Sequence, residues 1–419
     1  MPRSLIFLHQ YYAPELAGSA QQLTDLTLGL CERGYSIQVV TGQPSYSSKG
    51  RLPAREDVQG VQVNRLSKLQ LSRNNPLGRI LSAVSFLISA FFKIFSMDPQ
   101  ALLVIGSDPP FLFLLGWFFK RIRSQRYVLI VSDVYPDVAT ALGELNPNGW
   151  MAWVLESSNQ LAYADAEKIV VLGENMAEHV QKKLKKTSGF DKIQIIHNWA
   201  DGNLIRPLPK TENPFSVKHG LLDRLTVLFS GNMGKIYNFE DVIQAACYLR
   251  DDPSIEFLLI GDGPLRRTLE DRVDRDKLKN IRFLPYQPPE ELPFSLTCGD
   301  LALVPLKEQV VGLCVPGKIY YALAGGLPLL AISPEDSEPT RMIRDNDCGW
   351  SVLPGNPKSL ADLLRTISRE RVLLIDKKKN ARRCFETHFT RQRAIREYDF
   401  LFSRIENESG VHCASTLSR

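Results

Sequence analysis

Residues 225–234, LTVLFSGNMG, run a continuous apolar, β-favouring segment straight into a Gly-Asn-Met-Gly turn, and a helical pattern, NFEDVIQAACYLR (238–250), follows. A strand with one wet face alternates apolar and polar residues. An unbroken apolar strand is covered on both faces, as in a parallel sheet between helices. The unit recurs downstream in IEFLLIGDG (255–263), IRFLPY (281–286), LALVPL (301–306) and LPLLAIS (327–333), with helical patterns between. It recurs upstream in SLIFLH (4–9), YSIQVVTG (35–42), QALLVIGSDPP (100–110), RYVLIVSDVYPD (126–137) and EKIVVLG (167–173). GSAQQLTDLTLGLCERG (18–34) reads as the first helix, with Leu23, Leu26 and Leu30 on one face and Gly34 as its stop. Both halves therefore predict α/β architecture, as two doubly wound, Rossmann-like domains.

A chain of 419 residues is too long for one core. The loop-like, Pro- and Asn-rich NWADGNLIRPLPKTENPF (198–215) marks the join. The expected division is an N-terminal domain at 1–204, a second at 205–380, a final helix at 381–405 with Ile395, Tyr398, Leu401 and Ile405 on its apolar face, and a disordered tail at 406–419. Lys and Arg (51) barely exceed Asp and Glu (46), so the net charge of +5 does not mark a nucleic-acid protein. Seven scattered cysteines without a CxxC pair read as free thiols rather than a disulfide framework or zinc site. The N-terminal apolar run is too short for a signal peptide and reads as a first strand. LSAVSFLISAFF (81–92) and PPFLFLLGWFF (109–119) fall short of the ~20 residues of a spanning helix.

Doubly wound sheets bind ligands beyond the carboxyl ends of their strands. In the second domain that edge carries Gly231-Asn232-Met233-Gly234-Lys235, Gly261-Asp262-Gly263, Tyr286-Gln287-Pro288 and Pro305-Leu306-Lys307. It also carries the helix mouth Pro316-Gly317-Lys318, in CVPGKIYYALAGGLP (314–328). Glycines let backbone N–H groups approach an anion, and lysines add full charges. Lys235 and Lys318 together fit a diphosphate clamp. A solvated surface role is the alternative for either one alone. Neither Walker A spacing nor an opening GxGxxG is present, so the nicotinamide dinucleotide fingerprint is missing.

In the first domain, HQYYAPELAGSAQ (9–21) places Gly18 and Ser19 just before a helix, where they can face a phosphate or sugar, and sets His9 and Glu15 at the same strand end. His9 also reads as a structural histidine. Asp133 and Asp137, in SDVYPD, end another strand. Asp133 is a candidate to hold a sugar hydroxyl, or else a turn or cap aspartate. In the segment 81–95, Ser82, Ser85, Ser89 and Lys93 form a narrow polar stripe on an otherwise apolar helix. Arg73 and Arg79 precede it, and Lys120, Arg121, Arg123 and Arg126 follow the second apolar run. This fits a helix in a membrane interface, or a buried helix of the domain.

The ordered series QYYAPELAGSAQQLTDLTLGLCERGYSIQVVTG, SDPPF, DVYPDVATALG, HNWAD, FSGNMG, FLLIGDGP, FLPYQPPEELP and VPGKIYYALAGGLPLLAIS covers nearly the whole chain. It resembles the bacterial retaining glycosyltransferases of the GT-B fold, family four, nearest the colanic-acid and O-antigen branch of fucosyl- and fucosamine-transferase type. The resemblance implies two Rossmann-like domains facing a cleft. The second would hold a UDP- or GDP-sugar and the first a lipid-linked saccharide acceptor. It implies no metal and no cofactor, a cytoplasmic enzyme peripheral on the inner face of the membrane through 81–95, and a final helix crossing back to the first domain. Lys318 and Lys235 would meet the donor diphosphate, with Gly231, Asn232, Gly234, Asp262, Gly263 and Gly317 around it and Tyr286 near the base. Glu15, Gly18, Ser19 and Asp133 would lie on the acceptor side.

The chain departs from the pattern in places. A Glu-x7-Glu pair of many relatives is replaced by Leu313 and Tyr321, leaving Glu338 as the candidate carboxylate for the donor ribose and Tyr321 as a residue to pack beneath the nucleotide. Asn232 and Tyr237 stand where relatives carry an Arg and a Lys, and Asp133 where many carry a histidine. Two other readings stay open. One is a non-catalytic homologue that binds a nucleotide-sugar or stabilises a partner. The other is a GT-B-fold epimerase or phosphorylase.

Overall fold

A computed structural model of the chain describes residues 3–15, 18–44, 52–67, 76–184 and 190–416. The chain forms two compact units, Met1–His197 with Gln392–Arg419, and Asn198–Arg391. The join falls at the start of the loop-like segment, seven residues before the expected 204/205 boundary.

The first unit holds an eight-stranded sheet. Its strands are β1 (Ser4–Leu8), β2 (Ser36–Gly42), β3 (Arg55–Val58), β4 (Val61–Leu66), β5 (Leu102–Gly106), β6 (Tyr127–Val131), β7 (Lys168–Val171) and β8 (Ile193–Ile195). They lie in the order β3-β4-β2-β1-β5-β6-β7-β8, parallel except for the antiparallel β3–β4 pair. β1 and β5 are buried almost throughout, as their unbroken apolar sequences require. The chain winds outward from β1 in both directions, so the β1/β5 boundary is the topological switch point, and the loops after these strands carry His9–Glu15 and Ser107–Asp108.

The second unit holds six parallel strands: β9 (Leu225–Ser230), β10 (Ile255–Ile260), β11 (Ile281–Leu284), β12 (Leu301–Pro305), β13 (Leu329–Ile332) and β14 (Gly349–Val352). Their order is β11-β10-β9-β12-β13-β14. Alternate residues feed two cores. Val227, Phe229, Phe257, Leu259 and Leu303 enter one, and Leu228, Leu258, Ile260, Ala302 and Val304 the other. The switch point lies between β9 and β12.

The terminal helix differs from expectation. It begins at Arg391 and continues to Thr416, into the stretch expected to be a disordered tail. Residues from 381 belong instead to a separate helix, Leu373–His388, anchored in the second unit by Ala381, Cys384 and Phe385. The break lies at Phe389–Thr390, where Ala200 pairs with Thr390 and its N–H donates to the Phe389 carbonyl at 3.3 Å. Beyond it, Ile395 lies so close to Gly29 that a Cβ there would sit 2.1 Å from its Cδ1. Phe402 meets Phe7 edge-on at 6.4 Å, and Asp399 accepts from Arg33 and Tyr35 at 2.8 Å each.

Candidate active site

Two glycine turns build the carboxyl edge of the sheet in the second unit. Gly261 has φ +134°, and a Cβ there would lie 2.0 Å from the Gly231 carbonyl oxygen. Gly263 has φ +147°, and a Cβ would lie 2.3 Å from Asn232 Oδ1. The turns after β9 and β10 thus pack backbone to backbone, which only glycine permits. They are tied by Met233 N–H to the Asp262 carbonyl at 2.7 Å and Leu265 N–H to the Met233 carbonyl at 3.1 Å. Asp262 is exposed, and its Oδ1 accepts from the Gly263 N–H at 2.8 Å. Arg266 donates to the Gly261 and Leu284 carbonyls at 2.5 and 3.2 Å, fixing the turn to the end of β11. Asn232 and Lys235 are exposed on this edge, and Tyr286, just past β11, is 57% exposed.

Lys318 opens the seven-residue helix Lys318–Ala324, and Gly317 is its N-cap. A Cβ added to Gly231 would lie 3.7 Å from both Cε and Nζ of Lys318, so the amine sits at the mouth of the Gly231 turn. It is not held by anions there. Its Nζ is shut off from solvent, hydrogen-bonds to no protein group, and lies 2.9 Å from the Phe229 ring centroid and 4.2 Å from that of Tyr237. Burial alone holds its pKa well below the usual lysine range. The two rings meet edge-on at 5.1 Å and share Phe239. The sequence put Lys318 at this edge. It did not show the cage, because Phe229 reads as an ordinary strand residue and Tyr237 as a replaced cation. The signal was available in the period of β9, which sends Val227 and Phe229 to one face.

The neighbours of Lys318 divide by helical period. Tyr320 is fully buried, edge-on to Phe389 at 5.1 Å. Tyr321, three residues on and on the Lys318 face, is partly exposed against the core. Leu313 is buried. Glu338 opens the helix Glu338–Asn346 just past β13, behind the N-cap Ser337; burial first, and then the Glu338 charge, push the Tyr320 phenol up. It therefore stands on the same sheet edge as Gly231 and Gly261. A Cβ at Gly317 meets nothing within 4 Å, which leaves open space before the helix.

In the first unit the switch-point loops gather a different chemistry. His9 is 7% exposed and packs on Gly106, where a Cβ would strike its Cδ2 at 2.2 Å. Its Nδ1 accepts from the Tyr11 N–H at 3.1 Å, and burial pushes its pKa down to about 4, so it is a neutral loop-forming residue. Glu15 is 3% exposed, and its N–H donates to the Tyr12 carbonyl at 3.1 Å. Gly18 is exposed at the start of the helix Gly18–Cys31, with nothing within 4 Å of an added Cβ, and Ser19 beside it is partly buried. Asp133 follows β6, its N–H directed at Ser107 Oγ at 3.3 Å. Burial, then the neighbouring Asp108, push its carboxyl up to about 7. Asp108 is the acidic neighbour that sequence reasoning missed, although SDPPF ends the switch-point strand. Asp137 is a structural anion, bonded to His179 at 3.0 Å and Lys183 at 2.6 Å.

The raised Asp133 pKa has a measurable consequence. Between about pH 4 and pH 7 the folded chain keeps a proton that the unfolded chain has released. The stabilisation is full below the unfolded pKa and is lost as pH rises through 7. Asp133→Asn therefore raises stability at alkaline pH, by up to about 4 kcal/mol, and little in acid. Denaturant titrations of both proteins across this range check the sign; an equal effect at every pH contradicts it.

Comparison with known proteins agrees with this geometry. Residues 17–199 match the model described as "Glycosyl transferase 4-like domain", and residues 224–370 the model "Glycosyl transferases group 1". The chain is 27% identical over 299 residues to the Pseudomonas aeruginosa protein named "Probable glycosyltransferase WbjE", covering 71% of this chain and 73% of that one. It is 24% identical over 331 residues to the Escherichia coli protein named "Putative colanic acid biosynthesis glycosyl transferase WcaI", covering 75% and 79%. The fold matches the Anabaena protein HepE, solved with UDP-glucose, with a TM-score of 0.70 at 15% identity, over 96% of this chain and 99% of that chain. The two models together span most of the chain, which belongs to the family-four glycosyltransferases of the GT-B fold.

Proposed function

We propose that the protein transfers a hexosyl-type sugar, with retention, from a UDP- or GDP-sugar to a lipid-linked saccharide in surface polysaccharide synthesis. The observation that carries the donor half is Lys318, a buried amine with no protein hydrogen bond, at the mouth of two interlocked glycine turns. The leaving diphosphate gathers charge as the glycosidic bond breaks. Lys318 and the exposed Lys235 stabilise that charge, with Asp262, Gly263 and Gly234 shaping the turns and Tyr286 beside the base. Glu338 and Tyr321 take the ribose side. Transfer on one face of the sugar needs no protein nucleophile, so no carboxylate is assigned to attack. HepE, solved with UDP-glucose, supports a nucleotide-sugar donor, and the name of WcaI supports a polysaccharide product. The acceptor side is assigned to Asp133, Gly18 and Ser19, with Glu15 shaping the loop. The test is product analysis by NMR with a nucleotide-sugar and a lipid-linked acceptor: the reading requires an anomeric configuration equal to that of the donor, and inversion overturns it. The lost carboxylates at Leu313 and Tyr321 favour a second reading, a non-catalytic nucleotide-sugar binder, which predicts binding without turnover.

The acceptor's lipid suits a surface of the first unit. No helix among the described residues is long and apolar enough to cross a membrane. The helix Pro76–Phe95 instead buries Phe86, Ala90 and Ile94 and exposes Leu81, Val84, Ile88, Phe92 and Phe95. The expected cationic flank is weaker than its sequence suggests. Lys120 and Arg126 pair with Glu167, Arg121 pairs with Asp165, and Arg123 donates to the carbonyls of Ile94, Phe95 and Met97. Arg73 and the Arg79 side chain lie outside the described residues. We assign this face to the inner surface of the cytoplasmic membrane, held by apolar contact more than by charge. Phe91 is a poor probe, because it meets Phe118 edge-on and stacks on Phe119, each at 5.3 Å. Ile88→Asp with Phe92→Asp is expected to lower liposome co-sedimentation at least tenfold, while added salt changes wild-type binding little. Unchanged sedimentation of the double variant contradicts the assignment.

A further inference from the structure

A lysine ammonium beside an aromatic face gains a modest electrostatic attraction. Leaving a buried cation without hydrogen bonds costs more than that attraction returns, so a lysine so placed sheds its proton. Lys318 meets these conditions: Nζ enclosed, no hydrogen bond to the protein, Phe229 and Tyr237 against it, and the Gly231 turn in front. The titratable group packed directly on it is Tyr237, from the loop after β9, a phenol that burial pushes up; Cys314 and Tyr286 adjoin that phenol. Burial is the one influence on the Lys318 amine, and no carboxylate offsets it.

We propose that Lys318 stands in its aromatic cage as a neutral amine and takes up one proton from solvent when a nucleoside diphosphate group reaches the Gly231 turn, so that donor affinity is linked to pH. The balance is simple. The amine nitrogen's lone pair takes a proton from a buffer acid, whose bond to that proton breaks and whose conjugate base stays in solution, and the new ammonium faces the anionic diphosphate. The linkage rests on the donor reading above. It adds that the donor switches on the charge that holds it, so the cage delays that charge until there is an anion to neutralise.

Isothermal titration of UDP and GDP into the full chain at about pH 8, where the diphosphate is already ionised, measures the uptake directly. Binding enthalpies in buffers of different ionisation enthalpy give the number of protons taken up. The expected value for wild type is close to one, with affinity falling about tenfold per pH unit above the Lys318 pKa. Lys318→Arg, which stays charged at all these pH values, is expected to bind with no uptake and a flat pH profile. Lys235→Met is expected to bind more weakly with uptake retained. Tight binding by wild type with no proton uptake overturns the proposal and leaves the donor reading standing. Equal uptake in wild type and Lys318→Arg overturns it too, because the proton then goes elsewhere. Failure of the folded protein to bind any nucleotide overturns both.

Discussion

Lys318→Met is expected to lower kcat/KM for sugar transfer by about 10²–10³-fold, the usual cost of removing one buried group that stabilises developing negative charge. The size follows from placement. Lys318 lies in a water-excluded cage at the Gly231 turn, where a charge is weakly screened. Lys235 stands in solvent on the same edge, and its removal is expected to cost less than about tenfold. Methionine fills the same volume and packs well on aromatic rings, so the variant keeps its fold. Its thermal midpoint should equal or exceed that of wild type, because an amine enclosed without hydrogen bonds destabilises the native state. A steady-state assay with a thermal melt checks both halves. Near-normal turnover sinks the clamp, and a large fall in midpoint assigns the residue to structure.

Gly261→Ala is expected to destabilise the protein by about 3 kcal/mol or more and to abolish donor binding. The added Cβ would sit 2.0 Å from the Gly231 carbonyl oxygen, at φ +134°. Neither backbone can yield, because β9 and β10 are hydrogen-bonded along their length. The displaced loop is the one that faces Lys318. Gly234→Ala is the control: the nearest atoms to its Cβ lie 3.8 Å away, so stability should change by less than about 0.5 kcal/mol. Chemical denaturation of both variants decides the matter. Equal, small effects would mean the two turns do not interlock.

These two residues also mark how far the sequence could be read. Gly261 and Lys318 were legible as members of one sheet edge, because unbroken apolar runs identify parallel strands and parallel strands put their loops at a common end. What Lys318 touches was not legible, since that depends on which face of β9 carries Phe229. The β3–β4 pair escaped notice for a related reason. Arg55–Val58 is a charged, exposed edge strand without the buried signature of its neighbours. The terminal helix was misplaced because helical periodicity runs on both sides of Phe389, and only the pairing of Ala200 with Thr390 shows the break. The Asp133 environment depended on Asp108, distant in sequence but set beside it by the β5–β6 pairing.

The most direct test of the donor site is a thermal-shift comparison of wild type and Lys318→Met against UDP, GDP, ADP and their common sugar conjugates. A ligand that binds the native state raises its midpoint by mass action. The account predicts a clear rise with one uridine or guanosine diphosphate series in wild type, lost or much reduced in Lys318→Met. A folded wild-type protein that shifts with none of them would contradict it.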